Sequence, residues 1–177
     1  MNTIKLATVW LDGCSGCHMS FLDMDERLLE LAAQFELVYS PLVDFKTFPD
    51  EVDVCIVEGA VSSDEDLEKI CMVRKRSKKL VSLGDCAITA NVPAMRNPFP
   101  VEDVLKRAYY ENADLQAQTP CEAIPKLLPM SRPAHEYVPV DVFICGCPPP
   151  ADVIHYALSE LLAGRTPDLT DKTRFGK

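Results

Sequence analysis

This sequence has no apolar run long enough to cross a membrane, and no cleavable leader is expected at its start. Its first eleven residues carry one lysine and too short an apolar stretch for a secretory signal, and they lead straight into a cysteine turn. The chain is therefore expected in the cytoplasm. Positive charge is scarce too: 18 Lys and Arg stand against 27 Asp and Glu, for a net charge of −9 and a pI near 4.8. That balance argues against nucleic acid or an anionic membrane as a partner. There is no Walker loop, no dinucleotide glycine fingerprint and no hydrolase serine elbow, so no substrate pocket announces itself. Internal repeats and low-complexity runs are also missing.

What is present is an ordinary globular composition, 47% apolar and 25% charged over 177 residues. A chain of this length buries close to ~70% of its unfolded surface as one domain. It is read as a single unit over residues 1–165, followed by a polar tail, 166–177. Eight cysteines are the unusual feature. In a secreted chain they would suggest disulfides. Without a leader, and with an adequate core, metal binding or redox chemistry is the better reading. Cys55, inside the apolar run 52–57, and Cys71, inside a helical pattern, read as small core residues instead.

Five short β-rich runs, at residues 4–11, 35–43, 52–57, 79–83 and 140–144, alternate with helical patterns. Phe21, Met24, Leu28, Leu31 and Ala32 recur at helical spacing after the first cysteine turn and predict one helix there. Ser63 before Asp64, Glu65 and Asp66 predicts an N-cap, and Arg74, Lys75, Arg76, Lys78 and Lys79 supply cations for the other end. Residues 151–162 form a last amphipathic helix, stopped by Gly164 and Pro167. Between 91 and 139 the prolines break the pattern, leaving an ordered covering loop with one helix at 101–110. The tail from 168 onward is expected to fray in the isolated chain. The alternation points to an α/β fold, a three-layer flavodoxin-like parallel sheet of about five strands.

Three strands end in thiols: Asp12-Gly13-Cys14-Ser15-Gly16-Cys17, Gly84-Asp85-Cys86-Ala87, and Cys145-Gly146-Cys147-Pro148. If the strands are parallel neighbours, all three turns open at the C-terminal edge of the sheet, where such folds bind ligands. Four gathered thiolates suit a metal centre. A thioredoxin-like pair is disfavoured by the two further strand-end cysteines, and a structural zinc site normally brings two Cys-x-x-Cys knuckles. Proline after Cys147 is a feature of iron–sulfur ligation, and Gly13, Gly16, Gly84 and Gly146 let the backbone approach a bulky inorganic core. An iron–sulfur cluster is thus favoured over zinc. Cys145 competes with Cys147 for the fourth place, since the two face the same side of an extended segment, but the proline and the position past the strand end favour Cys147. Cys121 is a second reserve. Glu58, at a strand end facing the same edge, is read either as a docking or proton-handling group or as a helix cap. His18 either hydrogen-bonds near the cluster or faces solvent.

The motifs Leu11-Asp12-Gly13-Cys14-Ser15-Gly16-Cys17-His18, Val57-Glu58-Gly59, Gly84-Asp85-Cys86-Ala87 and Gly146-Cys147-Pro148-Pro149 resemble, in this order, the small subunit of nickel–iron hydrogenases. The resemblance extends to about Arg165 and fits the short form found in soluble, cytoplasmic, NAD(P)-linked bidirectional enzymes. It implies one proximal [4Fe–4S] cluster held by Cys14, Cys17, Cys86 and Cys147. It also implies a large subunit bearing the nickel–iron site and diaphorase subunits with FMN and further iron–sulfur clusters. Unlike the larger membrane-bound relatives, the sequence shows no twin-arginine leader and no later cysteine sets, so no internal wire beyond the first cluster is expected. His18 stands where those relatives commonly carry an acid. No catalytic residue is expected in this chain. A complex I-like quinone oxidoreductase subunit, expected to carry adjacent cysteines in the first motif, is an alternative, as is a zinc-stapled adaptor. FMN at this edge is disfavoured, because the first turn lacks a Ser/Thr-rich phosphate loop.

Overall fold

The strand β1, Ile4–Trp10, is an interior strand of the sheet: Leu6, Ala7, Thr8 and Val9 are all buried. A run apolar on both faces belongs inside a parallel sheet covered on both sides. The remaining central strands are β2 (Phe35–Tyr39), β3 (Val52–Glu58), β5 (Ser77–Leu83) and β7 (Val142–Ile144), all parallel in the order β2-β1-β3-β5-β7. Counted along the sheet this is the flavodoxin-like order. The expected three-layer architecture is present in a computed structural model that describes residues 3–176.

Side chains alternate between two cores, as the period of a strand requires. Leu6, Val54, Ile56, Val81, Leu83 and Ile144 pack beneath α1 (Gly16–Leu22), α2 (Glu26–Ala32) and α6 (Ala151–Leu162). Ala7, Val9, Cys55, Val57 and Leu80 face the other way, toward α3 (Asp64–Arg76) and the segment around Ala134 and Val138. Among the described residues, no helix is long and apolar enough to cross a membrane.

The predicted N-cap is present as a full capping box. Ser63 Oγ accepts from Asp66 N at 3.1 Å, and the Asp66 carboxylate accepts from Ser63 N at 3.0 Å. At the other end, only Arg74, Lys75 and Arg76 lie in the last helical turn. Lys78 and Lys79 belong to β5, where they pair with Asp53 and Asp141. The single helix expected after the first cysteine turn is two. Met24 turns into the core at the break, between the poor helix formers Asp23 and Asp25, and Asp25 takes φ +52°.

The proline-broken stretch is more structured than the sequence suggests. α4 (Asp85–Thr89) and a 3₁₀ turn (Pro93–Arg96) lead to α5 (Val101–Lys106), which continues as a π turn over Arg107–Glu111. Then β6 (Leu127–Arg132) pairs antiparallel with the three-residue β4 (Val61–Ser63) as a separate ribbon. Arg96 Nη2 donates to Ser62 O and Leu128 O at 3.1 and 2.9 Å, and Asn97 exchanges two 2.8 Å bonds with the Ser131 backbone. These side chains replace the periodic signal that a three-residue strand cannot give. Pro129 is tolerated because β6 has a partner on one side only.

Asp141, just before β7, ties three elements together by accepting from Leu80 N at 2.8 Å and Arg74 Nη1 at 2.7 Å, with Lys79 nearby. Partial burial opposes its charge, yet the Leu80 amide and the two cations outweigh that and hold its pKa below the ordinary value. A depressed carboxylate pKa stabilises the fold above the unfolded-state value, near ~4, and the benefit is lost as pH falls through the folded value. Asp141→Asn is expected to cost about 1 kcal/mol at neutral pH, allowing for solvent screening. The gap between the two urea denaturation midpoints should close below about pH 4. A gap that stays constant down to acid would remove Asp141 from the pH dependence.

Candidate metal centre

The exits of β1 and β3 are zipped together. Leu11 N donates to Glu58 O at 2.9 Å, and Asp12 and Ala60 exchange bonds of 3.0 and 2.7 Å. Gly59 makes this possible at φ +92°, where a Cβ would lie 2.8 Å from Asp12 O, and a Cβ on Gly13 would lie 3.3 Å from Gly59 Cα. Cys14 is exposed on the turn that follows, while Cys17 is buried in the first turn of α1. Cys86 sits half-buried on α4, directly after β5, and Cys147 is exposed on the turn after β7, joined to Pro148 by a cis bond. These last two turns are bonded to each other through Gly84 N to Ile144 O at 2.8 Å and Asp85 N to Gly146 O at 2.9 Å. Ser20 Oγ, on α1, donates to Pro149 O at 2.5 Å and ties the first helix to the third turn.

Cys17 lies within electrostatic reach of the other three thiols, and Cys86 within reach of Cys14 and Cys147. Burial pushes the Cys17 thiol far up, and the negative charges of Glu58, Cys86, Cys14 and Cys147 push it further. Burial likewise raises Cys86; the Val92 amide opposes this, while Cys147, Cys14 and Glu58 add to it. Glycine makes the room. A Cβ on Gly84 would fall 2.2 Å from Cys17 Sγ, and one on Gly16 would fall 3.3 Å from Cys14 Sγ. Among the described residues, no three His, Cys, Asp or Glu side chains are placed to hold a single ion. Four neighbouring thiols, with glycine where the backbone is closest, fit a multi-iron core, in which each iron takes its own thiolate.

The two polar residues on the rim have definite partners. Glu58 is 1% exposed and His18 is 3% exposed. Glu58 accepts from Cys17 N at 3.3 Å and His18 N at 2.9 Å, and its Oε2 lies 2.5 Å from His18 Nδ1. It therefore satisfies the free amides at the start of α1 from a neighbouring strand, which is the helix-capping role. Its side chain reaches α1 because Val54, Ile56 and Glu58 share one face of β3. The solvent-facing alternative for His18 is overturned. The ring is enclosed, with Nε2 3.0 Å from Thr8 Oγ1, and Thr8 in turn donates to Ser40 Oγ at 2.8 Å.

Three participants escaped the sequence reading. Asn91 Nδ2 donates to Cys147 Sγ at 3.6 Å, delivered there by Ala90 at φ +60°. Thr8 and Ser20 look like ordinary polar residues in a strand and a helix. Their only sequence signal is a hydroxyl on an otherwise buried face.

Comparison with known proteins agrees with this geometry. The family model for the NADH ubiquinone oxidoreductase 20 Kd subunit matches residues 14–161. The chain is 44% identical over 171 residues to the NAD-reducing hydrogenase HoxS subunit delta of Cupriavidus necator, covering 94% of this chain and 82% of that one. It is 35% identical over 171 residues to a subunit of the vhu F420-non-reducing hydrogenase of Methanocaldococcus jannaschii, covering 96% of this chain and 59% of that one. A crystal structure of an NAD+-reducing [NiFe]-hydrogenase in the H2-reduced state superposes with a TM-score of 0.93 at 40% identity, covering 98% of this chain and 99% of that chain. With a cysteine edge of this form and relatives aligned along almost its whole length, the chain belongs to the NADH ubiquinone oxidoreductase 20 Kd subunit family, among the small subunits of NAD-reducing nickel–iron hydrogenases.

Proposed function

We propose that this chain is a cytoplasmic electron relay that holds one proximal [4Fe–4S] cluster on Cys14, Cys17, Cys86 and Cys147. It stands between a large subunit that activates H2 and a diaphorase module, with FMN and further clusters, that reduces NAD(P). The observation that carries the reading is the rim itself: four thiols on three turns, at the C-terminal ends of three parallel strands, with glycines where a side chain would collide with sulfur. When bound, such a cluster supplies a one-electron store whose potential depends on hydrogen bonds to sulfur, local charge and solvent access.

The chain's own residues act on each of these. Cys17 is backed by the apolar wall of Phe21, Met24, Leu83 and Ile144, which keeps water from the inner side. The Asn91 amide is aimed at the Cys147 sulfur. The Glu58 carboxylate contributes fixed charge beside Cys17. Cys14 and Cys147 are exposed, as are Met19, Val92 and Met95, so the outer side is left for a partner subunit to cover. The nickel–iron chemistry belongs to that partner. A quinone-oxidoreductase subunit of the same family is the second reading, but two residues separate Cys14 from Cys17, where adjacent cysteines are expected.

Iron and acid-labile sulfide counts, with an electron paramagnetic resonance spectrum after reduction, test this reading. The expected result is about four iron and four sulfide per chain, and a nickel-bearing polypeptide that co-purifies. One zinc per chain without sulfide would end it.

A further inference from the structure

Asp85 has a position that ligation alone does not explain. It precedes Cys86, is 4% exposed, and has no cationic partner among the described residues. A buried carboxylate must be solvated by something. Here two backbone amides do it, each from a different part of the chain. Gly146 N donates to Oδ1 at 2.7 Å, and Gly176 N donates to Oδ2 at 2.7 Å. The first amide lies next to Cys147. The second lies near the end of a segment expected to fray.

That segment is anchored along its length. After α6 the chain turns at Gly164, φ +75°, and Pro167 is buried. Leu169 packs on the core beneath α6, and Lys172 Nζ sits 4.6 Å from the centre of the Tyr156 ring. Since α6 starts just past Cys147 and leads away from the cysteine rim, the segment returns along it and reaches the rim at Gly176. Its last contact there is Asp85.

We propose that Asp85 is a latch: its two carboxylate oxygens join the Cys147 turn to the returning segment 168–176, so that filling the thiol cage and docking this segment reinforce one another. The proposal rests on the cluster reading above. The physical reason for the coupling is that both amides solvate one buried charge. A filled cage holds the Cys86 and Cys147 turns in register, which keeps Oδ2 aimed at Gly176 N. Loss of either amide leaves the carboxylate underbonded and loosens the other contact. By linkage the effect is reciprocal: a docked segment must slow escape from the cage as much as a filled cage slows opening of the segment. Asparagine is the discriminating replacement, because it offers one acceptor oxygen and one amino group to two amide donors. Asp85 is a positioning residue, since it acts through the turns.

The test is hydrogen–deuterium exchange of the peptide spanning 168–177 in the full chain, iron-loaded against iron-free, with iron and sulfide counted on the same samples. In the wild type, loading is expected to slow exchange about tenfold; in Asp85→Asn that difference disappears. A chain lacking residues 175–177, with Asp85 intact, should release iron to a chelator about tenfold faster than the full chain, and it decides the matter if Asp85→Asn fails to fold. A loaded wild type whose segment exchanges as fast as the iron-free form overturns the latch alone, as does an Asp85→Asn chain that keeps the difference or a shortened chain that holds iron normally. A wild type that takes up no iron overturns the cluster reading and the latch with it.

Discussion

Cys86→Ser is expected to leave the protein without its cluster, whereas Cys55→Ser keeps a full iron complement. Cys55 lies on β3 and Cys86 just past the end of its neighbour β5, so a general effect of removing sulfur from this part of the protein would strike both. They differ in where the sulfur can go. Cys55 lies inside β3, fully enclosed, and burial pushes its thiol up to about 12, which keeps it protonated and inert. Cys86 begins the helical turn past β5, half-buried, facing the space shared with Cys14, Cys17 and Cys147. Serine there preserves the turn, since Gly84 N to Ile144 O and Asp85 N to Gly146 O are backbone bonds, but it removes one of the four thiolate ligands proposed above. The variant should therefore fold, with unchanged far-ultraviolet circular dichroism, while losing its reduced-state resonance. Normal iron content in Cys86→Ser would remove that residue from the site. Cys145→Ser and Cys121→Ser belong in the same series and should behave as Cys55→Ser does.

The second large effect concerns Glu58. Glu58→Ala is expected to lower stability by about 3 kcal/mol or more in urea denaturation. The substitution leaves the amides of Cys17 and His18 and the His18 ring without their shared acceptor, in a place that water does not reach. Glu58→Gln keeps one acceptor oxygen and should recover part of the loss. A loss under about 1 kcal/mol in the alanine variant would mean that α1 is held by its apolar contacts, and that the carboxylate is there for its charge alone. The cap is a long-range one: Glu58 stands 41 and 40 residues along the chain from the two amides it accepts from.

Much of this arrangement was legible in the residues. The five β-rich runs became the five parallel strands, with ends shifted by a few residues. Glu58 already stood at a strand end facing the thiol edge, with helix capping as one of its two readings. Ser63 and Asp66 announced the start of α3 because a cap is made within three residues. These features are local: strand period, helix period and caps act between near neighbours, and short-range chemistry is enough to write them.

What only the tertiary structure decided has the opposite character. The ribbon of β4 with β6, the enclosure of His18 by Glu58 and Thr8, the bonding of the Cys86 turn to the Cys147 turn, and the reach of Gly176 to Asp85 all join residues far apart in the chain. Each depends on strand order and on the hand of the crossovers, which bring the ends of β1, β3, β5 and β7 side by side. The residues by themselves determined which thiols stand at strand ends. The sheet determined that those ends are adjacent, because a parallel sheet puts every C-terminal turn on one rim while crossover topology chooses the neighbours.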